Sequence, residues 1–172
     1  MTRICILTTS PRKDSQSRAG AYAVREMLKQ WEDVEVDLID LFETPVALYP
    51  GNGEDPQRSE LVARFQNADA WIIAGAVYNG GPNAHVINFF HYSLDPDRCP
   101  AGHPFFLLGA AGGNGSAFAF DALGARVRRE VKAVEIGSPA MLVGGVEGAK
   151  ERLQAYLKLL VPYARLYASL KP

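Results

Sequence analysis

Two cysteines, Cys5 and Cys99, are too few for a disulfide-stapled secreted scaffold, and no metal-ligand spacing surrounds either thiol. Cys5 sits in an apolar run and reads as a small buried hydrophobe, and Cys99 reads as a loop residue. Long hydrophobic runs are also missing. No stretch nears the ~18 apolar residues of a membrane span. The first apolar run, Ile4–Leu7, is bracketed by Arg3, Arg12 and Lys13 and is too short for the core of a signal peptide, so a soluble cytoplasmic location is expected. Charge of one sign is lacking as well. With 18 basic and 19 acidic side chains the net charge is −1, which argues against a nucleic-acid or anionic-membrane binder. HExxH, CxxC and paired-carboxylate arrangements are absent, leaving metal and hydrolytic chemistry without machinery.

What is present is a globular composition, 48% hydrophobic and 22% charged over 172 residues, matching one domain with one sizeable core. Short apolar runs alternate with longer helical stretches. Strands are expected at 3–7, 33–39, 68–77, 104–108 and 134–143, the last interrupted near Gly137-Ser138-Pro139. Helices are expected at 16–31, 58–66, 84–92, 117–130 and 147–170, and Pro162 implies a kink or an early end near Leu160. DVEVDLI at 33–39 alternates as a strand with one wet face does, and the Pro-, Gly- and Asn-rich stretch 41–56 reads as a long loop. Five near-continuous apolar strands separated by helices give an α/β fold, a parallel sheet covered on both faces. Right-handed crossovers leave two common small solutions: strand order 2-1-3-4-5, or part of a dinucleotide-binding fold.

In such a sheet, ligands bind beyond the carboxyl ends of the strands, where the strand order reverses. For order 2-1-3-4-5, three unusual loops fall there: TTSPRKDSQSR at 8–18, YNGGPN at 78–83 and GAAGGNGS at 109–116. The first joins a strand to a helix, so free N–H groups and the positive end of the helix dipole point into it. Ser10, Ser15 and Ser17 offer hydroxyls and Arg12 a guanidinium fork, together a cradle for a phosphate. The plainer alternative is a serine cap beside a solvated arginine. Known phosphate chemistries are missing at this loop. It has no GxxxxGK[ST], no GxGxxG and no nucleophilic cysteine, and no acidic residues end the first and third strands. The loop is suited to hold a phosphate as a handle, with no group present to attack it.

Ser10-Pro11-Arg12-Lys13-Asp14-Ser15 resembles the G-S-x-R-x-x-S phosphate loop of the NADPH-dependent FMN reductase family, with Thr9 in place of the usual glycine and Ser17 where asparagine is frequent. Tyr78-Asn79-Gly80-Gly81 is similar to that family's P-E-Y-N-G segment, although Ala76-Val77 replaces Pro-Glu and Asn83-Ala84 replaces Pro-Gly. Asn88 falls where the following helix of the family carries a lysine-asparagine pair. Gly109–Ser116 is similar to its small-residue loop against the flavin ring.

The resemblance implies a single flavodoxin-like three-layer domain over 1–172, with FMN as cofactor and NADPH or NADH as co-substrate. It assigns the FMN phosphate to Ser10, Arg12, Ser15 and Ser17, and the isoalloxazine edge to the backbone of Val77, Tyr78, Asn79 and Gly80. Close approach to the ring or ribityl chain falls to Gly112, Gly113 and Asn114, where a Cβ would obstruct. The implied activity is hydride transfer from NAD(P)H to bound FMN, then reduction of a small-molecule acceptor: flavin, quinone, azo compound or metal ion. No side-chain acid or base is required for that transfer, so no catalytic residue is assigned. The resemblance also implies a homodimer or homotetramer in which a neighbouring subunit completes the flavin pocket. The rival reading is a flavodoxin-like electron carrier without efficient NAD(P)H turnover, and a third is a fold that has lost its flavin. Of the three histidines, His85 is the strongest candidate for ligand contact.

Overall fold

The computed structural model describes residues 1–51, 56–110 and 117–171, and the side chains of 56–58 and 117 lie outside that description. The elements, in chain order, are β1 (Thr2–Thr8), α1 (Gln16–Leu28), β2 (Val34–Asp40), α2 (Pro56–Asn67), β3 (Ala70–Tyr78), β4 (Gly81–Pro82), α3 (Ala84–Ser93), β5 (Pro104–Ala110), α4 (Ala117–Val131), β6 (Val134–Glu135), β7 (Ala140–Met141) and α5 (Gly145–Leu170). Strand order is β2-β1-β3-β5-β6 with β7 also on β5. The expected order 2-1-3-4-5 is therefore present. Its fifth strand is split in two: Val134 and Glu135 pair with Pro104 and Phe105, and Ala140 and Met141 pair with Leu108 and Gly109. The break falls at the Gly-Ser-Pro stretch, where Gly137 has φ 74° and Pro139 has no N–H to give a ladder.

The apolar runs form central strands because both of their faces are covered. In β1, Ile4 and Ile6 pack with α1 and α5, while Cys5 and Leu7 pack on the opposite layer. β3 divides in the same way, with Ile72 on one face and Trp71 and Ile73 on the other, and Phe106 and Phe105 follow suit in β5. The registers Ile6–Ile72 and Ile72–Phe106 stack these side chains across the sheet. Burying side chains of this size stabilises each by ~1.5–3 kcal/mol. β2, at the edge, keeps the wet face its alternation implies: Glu35 is exposed and Asp37 pairs with Arg64 of α2.

Two expectations change. The segment 78–83 is more than a turn, since β4 folds back antiparallel on β3 with Tyr78 opposite Gly81. Asn79 (φ 51°) and Gly80 (φ 77°) occupy the two central positions, the φ signs of a type I′ hairpin turn. The early end at Leu160 does not occur, and α5 runs to Leu170 with Pro162 inside it. Pro162 lies on the exposed side of the helix, as does Lys158, whose carbonyl loses its donor to the proline.

Candidate functional site

At the carboxyl edge of the sheet a cleft of about 390 Å³ opens between the loop after β1 and the end of β3. It is lined by Arg12, Asp14, Ser15 and Gln16 on one side and Ala76, Val77 and Tyr78 on the other, with Ala110 and Leu142 closing the floor. The sheet places these residues together because β1 and β3 are direct neighbours and Thr9 N–H bonds the Ala74 carbonyl at 3.0 Å.

Ser15 is the N-cap of α1. Its extended backbone (φ −75°, ψ 135°) turns the chain into the helix, and its Oγ accepts from Arg18 N–H at 3.5 Å. Ser17 is fully buried, its Oγ 2.8 Å from Ser15 Oγ, so it braces the capping hydroxyl from behind. Ser10 is also buried, and its Oγ accepts from Arg12 N–H at 3.3 Å, which tightens the loop. Arg12 stands at the mouth with 62% of its side chain exposed and Nη2 3.4 Å from the Asp14 carboxylate. That hydrogen bond holds the Asp14 carboxyl below its ordinary pKa. The first turn of α1 contains no acidic residue, so its free N–H groups meet no fixed anion of their own helix.

Among the residues named from the sequence, Arg12, Ser15, Val77 and Tyr78 line the cleft, Ser10 and Ser17 underlie it, and Asn79 and Gly80 form the adjoining hairpin tip. Gly112, Gly113 and Asn114 lie outside the described residues. His85 belongs to a different place, a small recess with Leu41, Val46 and Asn88. Asn88 is a clamp for the 41–51 loop: its Oδ1 accepts from Tyr49 N–H at 2.8 Å and its Nδ2 donates to the Ala47 carbonyl at 2.9 Å.

Three features had little or no sequence signal. Leu142, just past β7, reaches the cleft floor. Asn83 caps α3 and bonds Thr9 Oγ1 at 2.9 Å. Arg18 holds Asp40 at 2.6 Å and donates to the Lys13 carbonyl at 3.2 Å, anchoring the loop from below. The hydrogen bond to Asp40 raises the Arg18 pKa, which fixes its charge.

A helix N-terminus, a guanidinium, a capping hydroxyl and a strand edge around one cleft suit a ligand that joins an anion to a flat polar ring. A phosphate-bearing flavin fits this donor set.

A family model described as NADPH-dependent FMN reductase matches residues 2–148. An oxidoreductase from Corynebacterium diphtheriae has a similar structure, with TM-score 0.79, 18% identity and 99% of each chain covered. FerB from Paracoccus denitrificans, a flavoenzyme NAD(P)H:(acceptor) oxidoreductase, superposes with TM-score 0.77 at 17% identity over 97% of this chain and 99% of that one. An NADH:FMN oxidoreductase in its apo form gives TM-score 0.74 at 17% identity, covering 99% of this chain and 91% of that one. No curated protein matches the chain in sequence.

Proposed function

Because the chain belongs to the NADPH-dependent FMN reductase family, we propose that the cleft between Arg12–Gln16 and Ala76–Tyr78 holds FMN, phosphate against the N-terminus of α1 and ring along Val77-Tyr78. The chain is an NAD(P)H-dependent oxidoreductase with FMN as cofactor. The observation that carries the placement is the meeting of Arg12, Ser15 and the start of α1 with the end of β3 around one cleft.

Bound FMN supplies the two-electron chemistry between a nicotinamide and a second acceptor. The chain's own residues bind and orient. Arg12 turns from Asp14 to the phosphate, Ser15 and the first N–H groups of α1 complete the anion shell, and Ser10 and Ser17 hold that shell in shape. Val77, Tyr78, Asn79 and Gly80 offer backbone to the ring edge, stiffened by the two-residue hairpin turn. The acceptor is a small molecule drawn from flavins, quinones, azo compounds and metal ions. The working form is a cytoplasmic homodimer or homotetramer of one-domain chains over 1–172. No helix among the described residues is long and apolar enough to cross a membrane.

Anaerobic titration of the FMN-loaded protein with NADPH and with NADH tests this. Bleaching of the visible flavin band at stoichiometric nicotinamide, followed by recovery on adding a quinone, is expected. A protein that binds FMN but stays oxidised is a carrier, and one that ignores added FMN overturns the placement.

A further inference from the structure

We propose that Asn83 and Thr9 form a buried latch that holds the phosphate loop and the ring-edge hairpin in one register, so that a single flavin nucleotide can engage both. The inference rests on the FMN placement above. Asn83 Nδ2 donates to Thr9 Oγ1 at 2.9 Å across 74 positions of sequence, and Thr9 Oγ1 donates onward to the Ala74 carbonyl at 3.1 Å. Asn83 Nδ2 also approaches the Ala76 carbonyl at 3.4 Å, and Oδ1 accepts from Val86 N–H at 3.2 Å. One side chain thereby ties the first residue of the anion loop, the carboxyl end of β3 and the first turn of α3. Both partners are buried, so water does not compete for the bond.

The surroundings are shaped for it. A Cβ on Gly75 would lie 3.0 Å from Thr9 Oγ1 and 3.2 Å from Asn83 Nδ2, so the glycine in β3 leaves the space the latch fills. Thr9 and Asn83 are also two of the positions where this chain departs from the pattern it resembles. In the fold the two departures meet as donor and acceptor.

The consequence follows from bivalency. A ligand with a phosphate in one loop and a ring along the other gains affinity because the second contact is intramolecular, at an effective concentration set by how rigidly the two loops are held. Cutting the latch leaves each half-site intact and loosens their spacing. Neither residue lines the cleft, so this is a positioning role.

Thr9→Val removes the hydroxyl while keeping the branched shape, and Thr9→Ser restores the hydroxyl. In flavin-fluorescence titrations, Thr9→Val is expected to weaken FMN about tenfold while riboflavin, which lacks the phosphate, shifts by less than about twofold. Thr9→Ser should return both to wild-type values. Equal losses for the two flavins, or an unchanged FMN affinity, overturn the latch. Asn83→Ser keeps a capping oxygen for Val86 N–H, adds no charge and is too short to reach Thr9. It must show the same selective loss, and it decides the matter if Thr9→Val fails to fold. A wild-type protein that binds neither flavin overturns the FMN placement itself, an outcome distinct from normal binding with no change in the variants.

Discussion

The imidazole of His103 lies against the indole of Trp71 with ring centroids 3.7 Å apart and planes within 11°. Tyr167 packs against it at a tilt of 47° with centroids 4.6 Å apart, and neither ring nitrogen has a hydrogen-bond partner among the described residues. Burial, and secondarily the Lys171 ammonium, pull the His103 pKa down from 6.5 to about 3, against a weaker opposing pull from the Ala68 backbone. The folded chain therefore holds this histidine neutral at pH values where the unfolded chain protonates it.

That difference sets a pH dependence. Below about pH 6.5 the unfolded state binds one more proton than the folded state, so stability falls as pH falls, by up to ~1.4 kcal/mol per unit until the folded pKa is reached. Above pH 6.5 the term vanishes. His103→Phe keeps an aromatic plate between Trp71 and Tyr167 and removes the proton. Urea melts between pH 6.5 and 5 should show a shallower loss of stability for His103→Phe than for wild type. The lowered carboxyls of Asp14, Glu26, Asp33 and Glu130 act below that window. Parallel slopes for the two proteins would refute the assignment.

Asp14 competes with a phosphate for Arg12 at the mouth of the anion site. The Arg12–Asp14 pair is exposed and so contributes little to folding. A phosphate offers Arg12 a stronger, bidentate partner. Arg12→Ala is expected to weaken FMN by about 1.5–3 kcal/mol, roughly ten- to a hundredfold in dissociation constant. Asp14→Asn frees the guanidinium and removes a like charge, so FMN should bind a few-fold tighter at low salt, with the gain fading as salt screens it. Flavin titrations at two ionic strengths read both effects.

The hairpin tip isolates a purely conformational cost. Gly80 has φ 77° and a Cβ added there meets nothing within 4 Å, so Gly80→Ala is penalised by backbone strain alone. The expected loss is ~1–2 kcal/mol in a thermal or urea melt. Asn79→Gly, at the other left-handed position, should cost far less. A neutral Gly80→Ala would mean that the turn relaxes into another type.

How much of this was legible in the sequence depends on the range of each interaction. β1, β3 and β5 announce themselves because strands buried on both faces are apolar at every position. The loop between Thr8 and Arg18 was visible from its hydroxyls and cations, and its place at the sheet edge followed from strand order. The Asn83–Thr9 bond and the entry of Leu142 into the cleft join residues far apart in sequence, and no local pattern encodes such meetings. Pro162 does not end α5, and it lies with Lys158 on the exposed side of that helix, a placement that depends on how the whole helix packs. Arg18 was overshadowed by Arg12 and Lys13, although helical spacing alone places it on the first turn of α1.

Arg18 makes the last prediction. Its Nε meets Asp40 at 2.6 Å and its Nη2 meets Glu43 at 2.5 Å, and the guanidinium lies over Tyr22 and Phe42 at 5.2 and 5.1 Å. Asp40 also accepts from Tyr22 Oη and Phe42 N–H, and its side chain is only 6% exposed. Arg18→Met keeps the apolar stem over the rings and strands the Asp40 charge, so about 3 kcal/mol should be lost. Neutralising that carboxylate with Asp40→Asn in the same chain should recover much of the loss. The Lys13 carbonyl loses its donor in both variants, so FMN affinity should stay reduced even where stability returns. Urea midpoints and flavin titrations on the single and double variants separate the two effects. A double variant as unstable as Arg18→Met would show that the stranded charge was not the cause.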